Sequence, residues 1–216
     1  MSENGPSDII SEKGDDELRE KVEEVQEEAQ IDPAVLEQRL KEAEELKLIG
    51  NDEFQKENYE MAIQKYTEAI QLVPKDHEKS AIFHSNRAAA HLHLSQYKEA
   101  VADCDVALKI TPLSVKAIHR RANANYQLKE YKKALEDYKK YLELNPGVSN
   151  ASVQRLVDEL PALIQKQEEE EKAKMMEDLK SLGNKFLGLF GMSVDNFQAT
   201  QDSTTGGYSI KFNPNK

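Results

Sequence analysis

The chain has 216 residues with 29 Lys+Arg against 40 Asp+Glu, a single Cys and no Trp. That length holds one domain with extensions, one thiol excludes an intramolecular disulfide framework and fits a reducing compartment, and no apolar run approaches a membrane span. Met1 leads into polar residues without a basic start or a hydrophobic middle, so no secretory signal is visible and a cytoplasmic location is the default.

Charge divides the chain unevenly. Residues 1–45 hold 5 basic and 16 acidic side chains, leaving 24 of each sign for the remainder, so the whole negative excess lies in the leader. The first 30 residues have few apolar side chains and no aromatic ones. Such a segment cannot bury enough surface to offset the entropy of ordering, and residues 1–34 are predicted to be an acidic, disordered leader.

Beyond the leader, apolar residues recur at helical spacing and predict helices over 36–57, 59–72, 79–94, 97–109, 114–128 and 131–144. Taken in pairs they make three hairpins, ending at Pro74, Pro112 and Pro146, which cannot continue a helix. Each hairpin carries one motif: Tyr59, Ala62, Tyr66, Ala69, Pro74; then Tyr97, Ala100, Cys104, Ala107, Pro112; then Tyr131, Ala134, Tyr138, Tyr141, Pro146. The second and third copies are 34 residues apart and the first and second 38, the four extra residues lying near Lys75 to Lys79. Gly50, with Ala88 and Ala122 at the matching positions, lets the two helices of a hairpin approach closely. A period of about 34 with this small-and-aromatic pattern is the tetratricopeptide signature. Residues 35–147 are identified as three such repeats, Leu46 filling the family's usual Trp position.

The fold class is therefore all-α, a solenoid of three helical hairpins. A lone hairpin cannot bury both apolar faces, so the copies stack and the last needs a polar-backed cap. Residues 148–182 are predicted to supply that capping helix, with Leu156, Leu160, Leu163 and Ile164 as its buried stripe and a kink or a fresh helix start at Pro161.

Lys47 and Asn51 are four apart on the first helix of hairpin one, and Lys116 and Arg120 are four apart on the first helix of hairpin three, so each pair shares a face. Asn86 lies on the equivalent helix of hairpin two. First helices line the concave side of such a solenoid, which places all five side chains on one surface. Taken singly, a Lys or Arg on a helix is usually just solvated; taken together, five donors converging on a groove suit holding carboxylates, not making or breaking bonds. No Gly-rich phosphate loop, GxSxG, HExxH or CxxC is present, so no enzymatic activity is expected.

The five residues resemble the carboxylate clamp of tetratricopeptide co-chaperones, which grip the acidic C-terminal tails of Hsp70 and Hsp90. The strings LKLIGN at 46–51, SNRAAA at 85–90 and KAIHRR at 116–121 carry the likeness. The resemblance implies a co-chaperone or adaptor in which Lys47, Asn51 and Asn86 hold the ligand's terminal pair of carboxylates. Lys116 and Arg120 would then engage the backbone and acidic side chains further along, with Phe54 and Ala89 as an apolar wall.

Other chemistry has less support. His77, His84, His91, His93 and His119 lack metal-ligand spacing, His91 and His93 pointing to different helix faces, and neither a metal nor another cofactor is expected. Residues 115–147 hold 8 basic and 4 acidic side chains, a local basic surface. No aromatic interleaving accompanies them and the leader would repel phosphates, so nucleic acid is not an expected partner; nor is membrane insertion expected.

Residues 183–216 form a tail segment. Met175, Leu179, Leu182, Phe186, Leu189 and Phe190 make an amphipathic stripe broken by Gly183, Gly188 and Gly191. After the turn-rich DSTTGG, alternation at Tyr208, Ile210 and Phe212 suggests a short strand or β-hairpin with 196–200. The strings KSLGNKFLGLFGMSVDNFQ and QDSTTGGYSIKF resemble the ending of the tetratricopeptide repeat protein 1 family. That resemblance implies a cytosolic adaptor for chaperone tails and, as an alternative, a signalling scaffold for Ras-like or heterotrimeric G-protein α subunits. Exposed, the FLGLF run would be a liability. It is expected to pack against the capping helix, docking of a client or GTPase being the alternative.

Overall fold

The computed structural model describes residues 31–147, 150–201, 203 and 206–213. The predicted disordered leader lies outside the described residues as far as residue 30. Two compact units divide between Val157 and Asp158.

The first unit is built from six antiparallel helices in chain order: α1 (Pro33–Gln55), α2 (Tyr59–Leu72), α3 (Glu78–His93), α4 (Tyr97–Ile110), α5 (Val115–Gln127) and α6 (Tyr131–Leu144). Each packs on its sequence neighbour, and α3 also reaches α5, so the hairpins stack with their first helices side by side. Helix α1 starts three residues earlier than the periodicity predicts. The Asp32 carboxylate accepts the Ala34 N–H at 2.8 Å, and Pro33 occupies the first turn, where a missing N–H costs nothing.

The turn inside every hairpin is the same device. Glu57, Ser95 and Lys129 lie at φ 63°, 58° and 62°. Behind them the N–H groups of Asn58, Gln96 and Glu130 donate to the carbonyls of Glu53, His91 and Asn125. This six-to-one bond with a left-handed residue is the Schellman ending, which glycine fills without strain. Replacing Glu57, Ser95 or Lys129 with Gly is expected to raise stability by about 1 kcal/mol at each site, read as an upward shift of the denaturation midpoint. A loss at all three sites would show that these side chains contribute more than their backbone costs.

Small residues form the seams. Ala62, Ala69, Ala88, Ala100, Ala107, Ala122 and Ala134 are fully buried, and a Cβ on Gly50 would lie 2.7 Å from Cε1 of the buried Tyr66 ring. Leu46 packs with Ala43, Ala69, Val73 and Phe83. Cys104 is a core thiol, its pKa pushed up to about 12 chiefly by burial.

Two arginines tie the hairpins together. Arg87 on α3 donates from Nε and Nη2 to both oxygens of Asp103 on α4, at 2.9 and 2.7 Å, and from Nη1 to Thr67 Oγ1 on α2 at 2.8 Å. Thirty-four residues on, Arg121 repeats this with Asp137 on α6, both bonds 2.8 Å, and with Asp105 on α4 at 2.7 Å. Each guanidinium closes its own hairpin and reaches back to the preceding one. Arg121 is therefore part of the frame, a correction to its place in the local basic surface; Lys133 likewise pairs with Glu130 at 3.1 Å.

Helix α7 (Ala151–Gly188) runs for 38 residues. It passes through Pro161 without restarting and continues six residues beyond the predicted end at Leu182. In the first unit Val153 is buried; in the second Leu160 is fully buried, while Leu163 and Ile164 are half-buried. A 3-10 turn at Val194–Asn196 then leads into an antiparallel pair, β1 (Phe197–Gln201) and β2 (Tyr208–Phe212), with Phe197 opposite Phe212 and Gln201 opposite Tyr208. The β-hairpin expected from the alternation at 208–212 is present.

The tail docks on α7 by polar contacts. Asn184 Oδ1 accepts the Val194 N–H at 2.6 Å, Lys180 pairs with Asp195 at 2.8 Å, and Val194 Cγ2 closes on Gly183. Among the described residues, packing of the tail on α7 is thus seen at Val194 and Asp195. Phe186, Leu189, Phe190, Tyr208, Ile210 and Phe212 are all exposed.

Candidate carboxylate-binding groove

The first helices of the hairpins supply the groove because the repeat puts equivalent positions on one side of the stack. Asn51 on α1 and Asn86 on α3 meet directly, Nδ2 of Asn86 lying 3.4 Å from Oδ1 of Asn51. The same Oδ1 accepts the Tyr66 hydroxyl at 2.8 Å. With its oxygen committed to two donors, the Asn51 amide has its Nδ2 hydrogens left to offer a further acceptor.

Arg120 on α5 enters beside this pair. Its Nη1 donates to the carbonyl of Ser85 at 2.8 Å and to Ser85 Oγ at 2.6 Å, which fixes the guanidinium next to Asn86. Burial lowers its pKa from the ordinary guanidinium value. Arg87 and Arg121 are neutralised by aspartates; Arg120 bonds only neutral oxygens, and among the described residues no carboxylate pairs with it. A partly desolvated cation with neutral partners is a standing demand for an anion.

The apolar wall stands on the same hollow. Phe54, Ala89, Leu92, His93, Tyr97, Arg120, Asn123 and Gln127 line a space of about 510 Å³. His93 stacks on Tyr59 with centroids 4.5 Å apart, and Phe54 meets both edge-on at 5.2 and 5.3 Å, making a firm aromatic corner.

The two lysines sit one turn upstream of their partners. Lys116 is exposed and free of any partner among the described residues. Lys47 is engaged: its ammonium bonds the Glu44 carboxylate, and Lys79 approaches the other Glu44 oxygen at 3.6 Å. The Lys47 bond is the main reason the Glu44 carboxyl sits below its ordinary pKa. Of the seven residues expected at the site, Asn51, Asn86, Arg120, Phe54 and Ala89 are thus gathered, Lys116 flanks them, and Lys47 is held by a carboxylate of its own helix.

Tyr66, Ser85, Asn123 and Glu44 were not anticipated. The repeat arithmetic contains the signal for Asn123, which lies 72 residues after Asn51, while Tyr138 lies 72 after Tyr66. Its bond from Tyr138 Oη to Asn123 Oδ1 has the same 2.8 Å length. Among the described residues no cluster of His, Cys, Asp or Glu is placed to hold a metal ion, and no helix is long and apolar enough to cross a membrane.

Known proteins resemble this chain over the hairpins. Models of the family described as "Tetratricopeptide repeat" match residues 47–115 and 115–148. Small glutamine-rich tetratricopeptide repeat-containing protein 2 of Saccharomyces cerevisiae is 37% identical over 113 residues, covering 52% of this chain and 32% of its own. A solved tetratricopeptide domain of Arabidopsis OM64 superposes with TM-score 0.52 at 32% identity over 56% of this chain and 96% of that one. A structure described as the first tetratricopeptide domain of Spaghetti (RPAP3) bound to the HSP90 peptide SRMEEVD gives TM-score 0.51 at 29% identity, covering 59% and 94%. The chain spans 22% and 32% of the length of the first two curated relatives it matches.

Proposed function

We propose, for a chain that carries a tetratricopeptide repeat domain across residues 47–148, that the groove captures the acidic, free C-terminus of another polypeptide, as in an adaptor for Hsp70 or Hsp90 tails. The observation that carries this reading is Arg120, a partly desolvated guanidinium held by Ser85 and left without a carboxylate among the described residues. The Asn51 amide, the adjacent Asn86 and Lys116, unpaired among the described residues, add donors around it, and the aromatic corner of Phe54 and His93 offers an apolar seat. The peptide-bound relative supports the choice of ligand.

In this reading Asn51 and Asn86 hold the terminal carboxylate while Arg120 and Lys116 take the acidic side chains and carbonyls behind it. Lys47 joins only when the ligand's carboxylate displaces Glu44, so Glu44 sets a threshold against weakly acidic termini. Charge-assisted hydrogen bonds contribute about 1.5–3 kcal/mol each; ordering a flexible tail removes several kcal/mol, leaving about micromolar affinity. No step makes or breaks a covalent bond.

The test is a titration of the full chain with a peptide ending Glu-Glu-Val-Asp, free or amidated at its C-terminus. The free peptide is expected to bind at about micromolar Kd, weakening as salt rises, and the amidated one at least tenfold more weakly. Equal affinity for the two would remove carboxylate capture as the function of the groove.

A further inference from the structure

The second unit carries an apolar strip that the described tail does not cover. Met175, Leu179, Leu182 and Phe186 recur at intervals of four, three and four along α7, the 3.5-residue period of a coiled-coil seam. They are 63%, 55%, 66% and 64% exposed. The polar anchors of the 3-10 turn, Lys180 and Asn184, stand on the far side of the helix, while Gly183, on which Val194 closes, borders the seam beside Leu179. The tail thus backs the helix and leaves the seam open.

We infer that this seam pairs two copies of the chain through antiparallel α7 helices. Charge decides both occupant and direction. Asp178 and Lys185 flank the seam on one side, seven residues apart, and neither has an ion-pair partner among the described residues. In an antiparallel pair with Leu179 against Leu182 of the partner subunit, Met175 meets the partner's Phe186, and Asp178 faces the partner's Lys185 twice by symmetry. A parallel pair would instead set the acidic run Glu168–Glu171 beside its own copy, with like charges opposed. The strip is self-complementary in one direction only. The polar anchors of both 3-10 turns face outward in such a pair, and Val194 borders the seam at Gly183. This assembly is independent of the peptide groove.

Sedimentation velocity on the full chain across a concentration series tests the pairing. A monomer–dimer equilibrium is expected, abolished by Leu179→Glu with Leu182→Glu, two exposed positions whose change should leave helical content intact. Asp178→Lys alone and Lys185→Asp alone are each expected to weaken the dimer roughly tenfold, and the two together to restore it. A monomer at every concentration overturns the proposal, as does a dimer that survives the double glutamate variant. Failure of the double charge exchange to restore association would overturn the antiparallel register.

Discussion

Replacing Arg87 with alanine is expected to cost about 3 kcal/mol of stability, near the lower end for breaking a buried ion pair. Asp103 is only 5% exposed, and without the guanidinium fork one of its oxygens is left to the distant His91, 3.7 Å away, while His84 holds the other at 2.8 Å. Thr67 on the previous hairpin keeps its own bond to the Ile63 carbonyl but loses the one that crosses from Arg87, so the junction between two repeats loosens together with the hairpin. In a stack where each repeat contacts only its neighbours, that junction carries the cooperativity of unfolding. The loss should therefore show both in the midpoint and in a shallower transition.

The pH dependence gives the loss a signature. Burial pushes the Asp103 carboxyl up, but its bonds to Arg87 and His84 outweigh this and hold it below the ordinary value. A carboxylate with a depressed folded pKa contributes stability that is complete above the unfolded value of about 4 and is lost as pH falls through the folded one. In Arg87→Ala the bonds that chiefly oppose burial are gone and only His84 still lowers the carboxyl, so the Asp103 pKa is expected to rise from its place in the parent. The difference between variant and parent should be largest at neutral pH and shrink on acidification through the carboxylate range. A difference below about 1 kcal/mol, or one unchanged between neutral and acid pH, would show that the bridge is only a surface ion pair.

Much of the first unit was legible because its information is local and repeated. The Tyr, Ala and Pro positions fix where each helix begins and ends, and all six predicted helices fall within three residues of the observed ones. The candidate site positions on the first helices follow the same register, which is how Asn51, Asn86 and Arg120 come together. What charge counting missed is pairing across the stack. Arg121 and Arg120 are adjacent and look alike in sequence, yet one is clamped by Asp137 and Asp105 and the other is not. That difference lies in partners 15 or more residues away, and it is visible in advance only to someone who lays the copies over each other and sees Arg87 with Asp103 recur as Arg121 with Asp137. The Lys47 pairing needed no copy-to-copy comparison: its partner Glu44 is one turn away, within reach of the ordinary helical pairing rule. Pro161 shows the limit of a local rule, since α7 continues through it although an interior proline removes a helical hydrogen bond.

The adjacent arginines supply the sharpest test of the groove. Arg120→Ala is expected to weaken binding of a free acidic C-terminal peptide by at least about thirtyfold, the loss when one partner of a buried charge pair is truncated. Its effect on folding should be small, within about 1 kcal/mol, because the bonds to Ser85 are offset by removal of a desolvated charge that has no counter-ion. Arg121→Ala should do the reverse: it unlocks Asp137 and Asp105 and destabilises the fold, while the groove of the remaining folded protein still binds peptide. Arg120→Lys keeps a charge but forfeits the planar fork that spans Ser85 and the ligand together, so an intermediate affinity is expected. Calorimetric titration paired with thermal melts of the three variants separates the two roles. If Arg120→Ala bound peptide as well as the parent while losing several kcal/mol of stability, Arg120 would be a packing residue, and the groove would lose the feature that distinguishes it from a solvated helix face.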